Sequence, residues 1–234
     1  MSSNIFLIPC VLAEDGFAAI PPYVLEAVKQ CQVIFAENER TARRFLKGLD
    51  KSIFIDGYEW FSIHKAEEAQ RSQFITKIKE GKNIAIISEA GCPGIADPGQ
   101  VLIATAQEMN CTIKPLVGPS SILLALMASG MNGQQFEFTG YLPIDNGERI
   151  KKIKELETAS AKHNSTKIFI ETPYRNNQLL QTLLQQCADK TKICVAVNIT
   201  AASESIVTQT VAGWKKKKPE LHKLPAIFLL YAGA

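Results

Sequence analysis

The chain alternates short runs of apolar and β-branched residues with stretches of helical period. The clearest apolar runs lie at 4–10, 33–36 and 84–88, and amphipathic segments separate them. Strands that alternate with helices are typical of α/β proteins, in which the strands are largely parallel and helices cover the sheet. With 46% hydrophobic residues among 234, the chain can bury a large core in one or two domains.

The pattern predicts two domains, residues 1–117 as an N-terminal α/β domain and residues 118–234 as a C-terminal α/β domain. In the first, we expect a mostly parallel five-stranded sheet with strands at 4–10, 33–36, 52–56, 84–88 and 112–117. Its helices are expected at 21–31, 40–49, 65–80 and 100–109. In the second, we expect helices at 121–129, 148–161 and 176–188 and strands at 136–142, 167–171, 193–199, 203–211 and 226–231. No long helix separates the last two strands, which predicts a mixed sheet with antiparallel edges.

The composition narrows the class of protein. Six cysteines lie far apart without a CxxC pair, which predicts free thiols in a reducing cytoplasm. The N-terminus lacks the features of a signal peptide, and no run approaches the roughly 20 apolar residues of a membrane span. His64, His163 and His222 are far apart without metal-ligand spacing, so we expect no metal site.

The net charge of the chain does not identify its binding partner. A formal net charge of +3 permits RNA binding without requiring it. Four consecutive lysines, Lys215 to Lys218, follow Trp214 and precede a proline. Such a run contacts phosphates in some proteins and is a solvated loop in others.

Two loops rich in glycine and proline follow predicted strands, at 88–99 and at 118–121. In open α/β sheets, ligands bind outside the carboxyl ends of the strands, where both loops are expected. The second loop opens a helix, so its free N–H groups and the Ser120 hydroxyl are suited to a carboxylate or another acceptor. A structural role is the alternative: Asp97 and Pro98 fit the N-cap and first position of a helix, and Gly118 to Ser120 can simply begin one.

These loops belong to a series of motifs that runs along nearly the whole chain. The motifs are AENERT at 36–41, SEAGCPGIADPG at 88–99, GPSS at 118–121, TGYLP at 139–143 and ETPYR at 171–175. Their order and sequence resemble the tetrapyrrole methylase superfamily, and within it most closely the ribosomal RNA small subunit methyltransferase I family. The resemblance implies an S-adenosylmethionine-dependent methyltransferase that modifies a ribose 2′-oxygen in 16S ribosomal RNA. It also implies a homodimer and a cofactor cleft between the two α/β domains.

The resemblance also implies a set of cofactor contacts, which are Pro9, Leu12, Ala90, Gly91, Cys92, Ile95, Ser120, Ser121, Glu171, Ile199 and Pro225. Two segments depart from the family. Its first loop reads Pro-x-Pro-x-Gly-Asn, where this chain has PCVLAED at 9–15. Alanine does not adopt a positive φ cheaply, so we expect a different loop shape. The chain also has Asn198-Ile199-Thr200 where the family has Glu-Leu-Thr.

Methyl transfer from a sulfonium mainly requires positioning and exclusion of water. A ribose hydroxyl additionally benefits from a base or from a cation that stabilises the developing alkoxide. Glu37, Glu39, Arg40 and Arg175 are the candidates. Glu39 equally fits the first turn of a helix, where the dipole favours an acid, and the arginines equally fit pairs with a glutamate of their own motif.

Two other functions remain open at this point. A precorrin-type methylase shares the fold and the cofactor, and a cofactor-binding homologue with altered or lost activity fits the changed first loop. The chain has neither a GxxxxGK[ST] loop nor a GxGxxG after the first strand, which disfavours a nucleotide-hydrolysing enzyme or a dinucleotide dehydrogenase.

Overall fold

A computed structural model describes residues 3–63 and 67–233. The chain divides into two compact units, Met1–Ser120 and Ser121–Ala234. The sequence predicted a boundary after residue 117. His64 and Lys65, the second of which was predicted to begin a helix, lie outside the described residues.

Unit 1 is built on a five-stranded sheet in the order β3-β2-β4-β1-β5, with every neighbouring pair parallel. The strands are β1 (Asn4–Ile8), β2 (Val33–Ala36), β3 (Glu59–Ser62), β4 (Ile84–Ile87) and β5 (Thr112–Pro115). The helices are α1 (Tyr23–Lys29), α2 (Glu39–Leu49), α3 (Glu67–Lys79) and α4 (Gln100–Glu108). Strands β2 and β4 are buried along their whole length, as expected for parallel strands with both faces covered. The predicted parallel sheet is confirmed.

One predicted strand of this unit, 52–56, is wrong. The Lys47 ammonium donates to the carbonyls of Lys51 and Ile53, which holds this segment as a loop at the end of α2. Ile53 and Ile55 are buried as anchors of that loop, and a 3-10 turn follows at Ile55–Gly57. The edge strand is β3, which pairs with β2 alone. All four of its residues are partly or fully exposed.

Unit 2 contains a mixed sheet in the order β6-β7-β10-β8-β9. Strands β6 (Phe136–Tyr141) and β7 (Thr166–Ile170) are parallel, whereas β8 (Lys192–Val197), β9 (Ser205–Thr210) and β10 (Ala226–Tyr231) join by antiparallel pairs. The helices are α5 (Ser121–Ser129), α6 (Asn146–His163), α7 (Asn176–Gln186) and α8 (Val211–Lys216). The predicted mixed sheet is confirmed.

The short helix α8 was not predicted, since the sequence placed Val211 at the end of a strand. The Thr210 hydroxyl caps this helix by accepting from Gly213 N at 3.1 Å. Val211 and Trp214 face the core. A helix this short gives too few residues for a periodic pattern.

All six cysteines are free thiols, as predicted. Among the described helices, none combines the length and the apolar character that crossing a membrane requires.

Candidate functional site

Loops that follow strands of unit 1 are joined at the carboxyl edge of its sheet. Cys10, after β1, and Gly91, after β4, form an antiparallel bridge with N···O distances of 2.8 and 3.2 Å. The buried Ser88 hydroxyl lies 3.3 Å from the carbonyls of Ala90 and Gly91 and donates to them. The loop after β4 is therefore fixed to the loop after β1 through backbone groups.

Two glycines allow the loop after β5 to approach the loops after β1 and β4. A Cβ on Gly118, after β5, would lie 2.1 Å from the Cβ of Pro9, a distance that real side chains do not tolerate. Gly91 has a φ of +71°, which favours glycine, and a Cβ there would lie 3.4 Å from Leu12 and 3.6 Å from the Pro119 carbonyl. The Cys92 thiol is 3.6 Å from that same carbonyl. Loops from β1, β4 and β5 thus meet at the carboxyl edge of the sheet, where the sequence placed the two glycine-rich loops.

The helix that follows the glycine-rich loop is capped from another element. The carboxylate Oε1 of Glu67, in α3, accepts from the backbone N–H groups of Gly99, Val101 and Leu102 at 3.0, 2.8 and 3.2 Å. The N-cap of α4 is Gly99 rather than Asp97. The N-cap role considered for Asp97 is therefore wrong, because Glu67 already occupies the free N–H groups of this helix.

Asp97 belongs instead to a group of carboxylates at the same edge. Burial, followed by the charges of Glu37 and Glu89, raises the pKa of Asp97 from 3.8 to about 7. The Glu37 carboxylate accepts from Glu89 N at 2.8 Å, and the Glu89 carboxylate accepts from the Thr41 hydroxyl at 3.1 Å. Burial and these three carboxylates also raise the pKa of the Cys10 thiol, which keeps it protonated.

The segment that replaces the family's first loop forms one wall of a cavity. The cavity has a volume of about 420 Å³, and residues 10–14 and Phe17 line it together with Thr41, Arg44, Phe45, Glu89 and Ala90. None of residues 10–16, all of which the structure describes, has a positive φ. The lack of a positive φ at Ala13 agrees with the conformational preference of alanine, and a 3-10 turn at Gly16–Ala19 follows the loop.

The predicted catalytic residues of unit 1 lie in different settings. Glu37 is at the carboxylate group, whereas Glu39 pairs with Arg43 one turn later in α2 at 2.7 Å. Arg43 also pairs with Asp56 and lies over the Trp60 ring, 4.6 Å from its centroid. This arrangement matches the helix first-turn role for Glu39. Arg40 is exposed, and its guanidinium forms no ion pair with a carboxylate of the described chain.

The remaining candidates lie at one edge of the sheet in unit 2. Glu171 follows β7, and its Oε1 accepts from Arg175 at 2.6 and 3.0 Å, which matches the pairing role for Arg175. Glu171 Oε2 is buried and has no hydrogen-bond partner among the described residues. Asn198 N donates to the Pro225 carbonyl at 3.1 Å, which brings the loops around Ile199 and Pro225 together.

The structure thus joins the predicted residues Pro9, Leu12, Gly91 and Cys92 in unit 1. Ala90 and Ile95 lie exposed on the same loop. Ser120 ends unit 1 and Ser121 begins α5 in unit 2. The cofactor contacts stay predictions for all eleven residues that the resemblance implies. No cluster of three metal-ligating side chains occurs in residues 3–63 and 67–233.

Sequence reasoning missed Glu67, Glu89 and Asp97 as parts of this edge. The signal available was positional, since Glu89 and Asp97 fall inside the glycine-rich segment after a buried strand. Nothing local in the sequence connects Glu67 to the start of α4, because the contact joins two helices.

Comparison with known proteins identifies the family of the chain. Residues 17–213 match the family model of tetrapyrrole (corrin/porphyrin) methylases. The chain is 29% identical to ribosomal RNA small subunit methyltransferase I of Vibrio cholerae serotype O1, over 86% of this chain and 67% of that protein. It is 30% identical to the protein of the same name from Micromonospora olivasterospora, over 88% of this chain and 62% of that protein. The chain thus spans about two thirds of the length of these relatives.

The fold is also that of a solved methyltransferase. Uroporphyrin-III C-methyl transferase from Thermus thermophilus, in a structure complexed with S-adenyl homocysteine, aligns with a TM-score of 0.59 at 12% identity. The alignment covers 98% of this chain and 97% of that one. The family model spans well over half of the chain, and the chain therefore belongs to the tetrapyrrole (corrin/porphyrin) methylase family.

Proposed function

We propose that this protein is an S-adenosylmethionine-dependent methyltransferase that acts on ribosomal RNA at a ribose 2′-oxygen of the 16S molecule. The observation that carries the proposal is the junction of the loops after β1, β4 and β5, fixed by the Cys10–Gly91 bridge. Family membership and the names of the relatives support the reaction and the RNA substrate.

The residues of this edge fit the cofactor. Gly91 and Gly118 leave room where side chains would clash, so backbone groups are accessible to a ligand. The carboxylates of Glu37, Glu89 and Asp97 give the edge a negative charge, which favours the positively charged sulfonium. When bound, S-adenosylmethionine supplies the methyl group together with a leaving group that is already activated. Pro9, Leu12, Gly91 and Cys92 would hold it.

The chain's own contribution to the chemistry is proton removal and positioning. A ribose hydroxyl attacks more readily as its proton leaves, and a base works best when its pKa lies near the operating pH. Asp97, with a pKa of about 7, meets that condition better than an ordinary carboxylate. Glu37, which raises the pKa of Asp97, acts by positioning the loop through its bond to Glu89 N.

The cavity beside the junction fits the acceptor. Phe17 and Phe45 supply apolar walls, and Arg44 supplies a cation. A nucleoside needs an apolar surface for its base and a cation for its phosphate, whereas a corrinoid needs a wide apolar trough. Glu14 pairs with Arg44 at 3.4 Å in an exposed position, where such a pair is weak and readily exchanged for a phosphate.

We also propose a cytoplasmic homodimer. Six free thiols fit a reducing compartment. Leu123 and Met127 lie one turn apart on α5 and are 50% and 79% exposed, so together they offer an apolar surface that suits an interface. Sedimentation equilibrium of the full chain tests the dimer: a single species of monomer mass would refute it.

Cofactor binding is tested by thermal unfolding with S-adenosylhomocysteine. A ligand at 100 times its Kd stabilises the folded state by about 2.7 kcal/mol, so the midpoint should rise by several degrees. An unchanged midpoint at ligand concentrations that saturate related methyltransferases would refute the cofactor assignment.

The acceptor is tested by methyl transfer from labelled S-adenosylmethionine to small ribosomal subunits and to their isolated RNA, both from a strain that lacks this gene. We expect label in the RNA of one or both preparations. Label in a corrinoid instead would favour the precorrin-type alternative. Binding of the cofactor without transfer to any of these acceptors would favour a binding homologue.

A further inference from the structure

Unit 2 contains a second cavity, which the proposed reaction does not use. Its floor is the face of the sheet formed by β8 and β9, where Val195 lies opposite Val207 and Val197 lies opposite Ser205. The cavity has a volume of about 340 Å³, within the range of roughly 300–1,000 Å³ typical of small-molecule sites. Strand β9 pairs with β8 on one side and is the edge of the sheet among the described residues.

The wall of the cavity is the end of α8 and the segment that follows it. Trp214 is buried, and its indole N–H donates to the Ile193 carbonyl at 2.9 Å. This bond fixes the end of the helix against β8. Gln209, Lys217, Lys218 and Pro219 complete the lining, so two lysines lie beside a floor that contains three valines.

The lysines of the run Lys215 to Lys218 differ in their ion pairs. Lys215 pairs with Asp189 at 2.6 Å. Lys217 and Lys218 are exposed and form no ion pair with a carboxylate in the described chain. The neighbouring Glu220 accepts from Asn177 and from His222 N, and these bonds lower its pKa. The Glu220 carboxylate is therefore engaged with Asn177 and His222 N rather than in an ion pair with either lysine beside the cavity.

We propose that this cavity is a second RNA site, which takes one unpaired base against Val207, the partly exposed valine of its floor, while Lys217 and Lys218 bind the flanking phosphates. Proteins that bind single strands without reading their sequence combine cations along the backbone with a face on which bases stack, usually an aromatic one. Here that face is aliphatic. The inference rests on the proposed ribosomal RNA substrate and deepens it, because it assigns a place that anchors RNA away from the reacting loops.

Fluorescence anisotropy of the full chain with a fluorescein-labelled 12-nucleotide oligouridylate tests the site. Each phosphate contact to a single strand contributes about 0.7 to the slope of log K against log salt. Lys217→Gln combined with Lys218→Gln should lower that slope by about 1.4, which at roughly 0.1 M salt is about a 25-fold loss of affinity. The matched control is Lys151→Gln with Lys154→Gln, two exposed lysines of α6, which should change the affinity little.

A comparison of two strands, one with bases and one without, separates binding of the base from binding of the phosphates. The unsubstituted protein should bind oligouridylate more tightly than an abasic strand of equal length, and Val207→Trp, which fills the cavity, should abolish that difference. Equal binding of the two strands by the unsubstituted protein would reduce the site to a general anion surface and overturn the proposal. So would equal losses in the two lysine variants, or tight binding to anionic lipid vesicles but not to RNA.

These measurements need no cofactor and no methyl transfer. Failure of the proposed function would show as an absent shift with S-adenosylhomocysteine, whereas failure of this site would leave that shift intact.

Discussion

The carboxyl group of Asp97 gives a direct test of the electrostatics at the loop junction. Its pKa is raised from 3.8 to about 7 in the folded protein, by burial first and then by the charges of Glu37 and Glu89. The folded state therefore binds this proton more tightly than the unfolded state, and stability falls as the pH rises from about 4 to about 7. At about 1.36 kcal/mol per pKa unit the full effect is ~4 kcal/mol. Solvent screening of this partly exposed side chain reduces it to ~1–2 kcal/mol.

Asp97→Asn removes the charge and keeps the shape of the side chain. We expect the variant to be more stable than the unsubstituted protein by ~1–2 kcal/mol at about pH 8, and equally stable at about pH 3, where the carboxyl is largely neutral in the folded and the unfolded state. Urea unfolding followed by tryptophan fluorescence measures the difference, since Trp60 lies in the same unit. The control is Asp189→Asn, which loses an exposed ion pair and should cost about 0–1 kcal/mol at about pH 8. A variant at Asp97 with no gain at the higher pH would refute the reasoning.

Three further substitutions and one control probe the packing around both candidate edges. Gly118→Ala places a Cβ 2.1 Å from a proline of the first loop, so it should cost ~1–3 kcal/mol by thermal unfolding and reduce the shift with S-adenosylhomocysteine. Gly133→Ala, with nothing within 4 Å, should do neither, and equal effects at the two glycines would contradict the close approach. Glu67→Ala should cost ~0.5–2 kcal/mol in urea unfolding, because it frees the three N–H groups at the start of α4; no loss would mean that this cap is not formed in solution. Glu171→Ala should cost ~1–3 kcal/mol because it leaves Arg175 without its carboxylate, and a neutral result would show that the pair contributes nothing.

The core of the fold could be predicted from the sequence where burial alone decides the structure. Strand β2 has the bounds that its apolar run predicts, because both of its faces are covered. The edge strand β3 was missed because the more apolar residues nearby, Ile53 and Ile55, anchor a loop. An apolar run shows that a segment is buried, but not whether it is buried as a strand.

The candidate site could be predicted in part for a similar reason. Glycine and proline residues after the predicted strands located the loops. Because parallel strands end at one edge of the sheet, these loops were expected at the same edge. The cap provided by Glu67 and the raised pKa of Asp97 depend on contacts between elements. Such contacts produce no local pattern in the sequence.

The central claim is that the protein methylates a ribose 2′-oxygen of ribosomal RNA, and alkaline digestion of labelled product tests it most directly. A 2′-O-methyl group removes the hydroxyl that attacks the neighbouring phosphate, so the adjacent bond resists alkali. After transfer of a tritiated methyl group to small ribosomal subunits or their RNA, we expect the label in alkali-stable dinucleotides. Label in mononucleotides would mean methylation of a base, and that result would contradict the account.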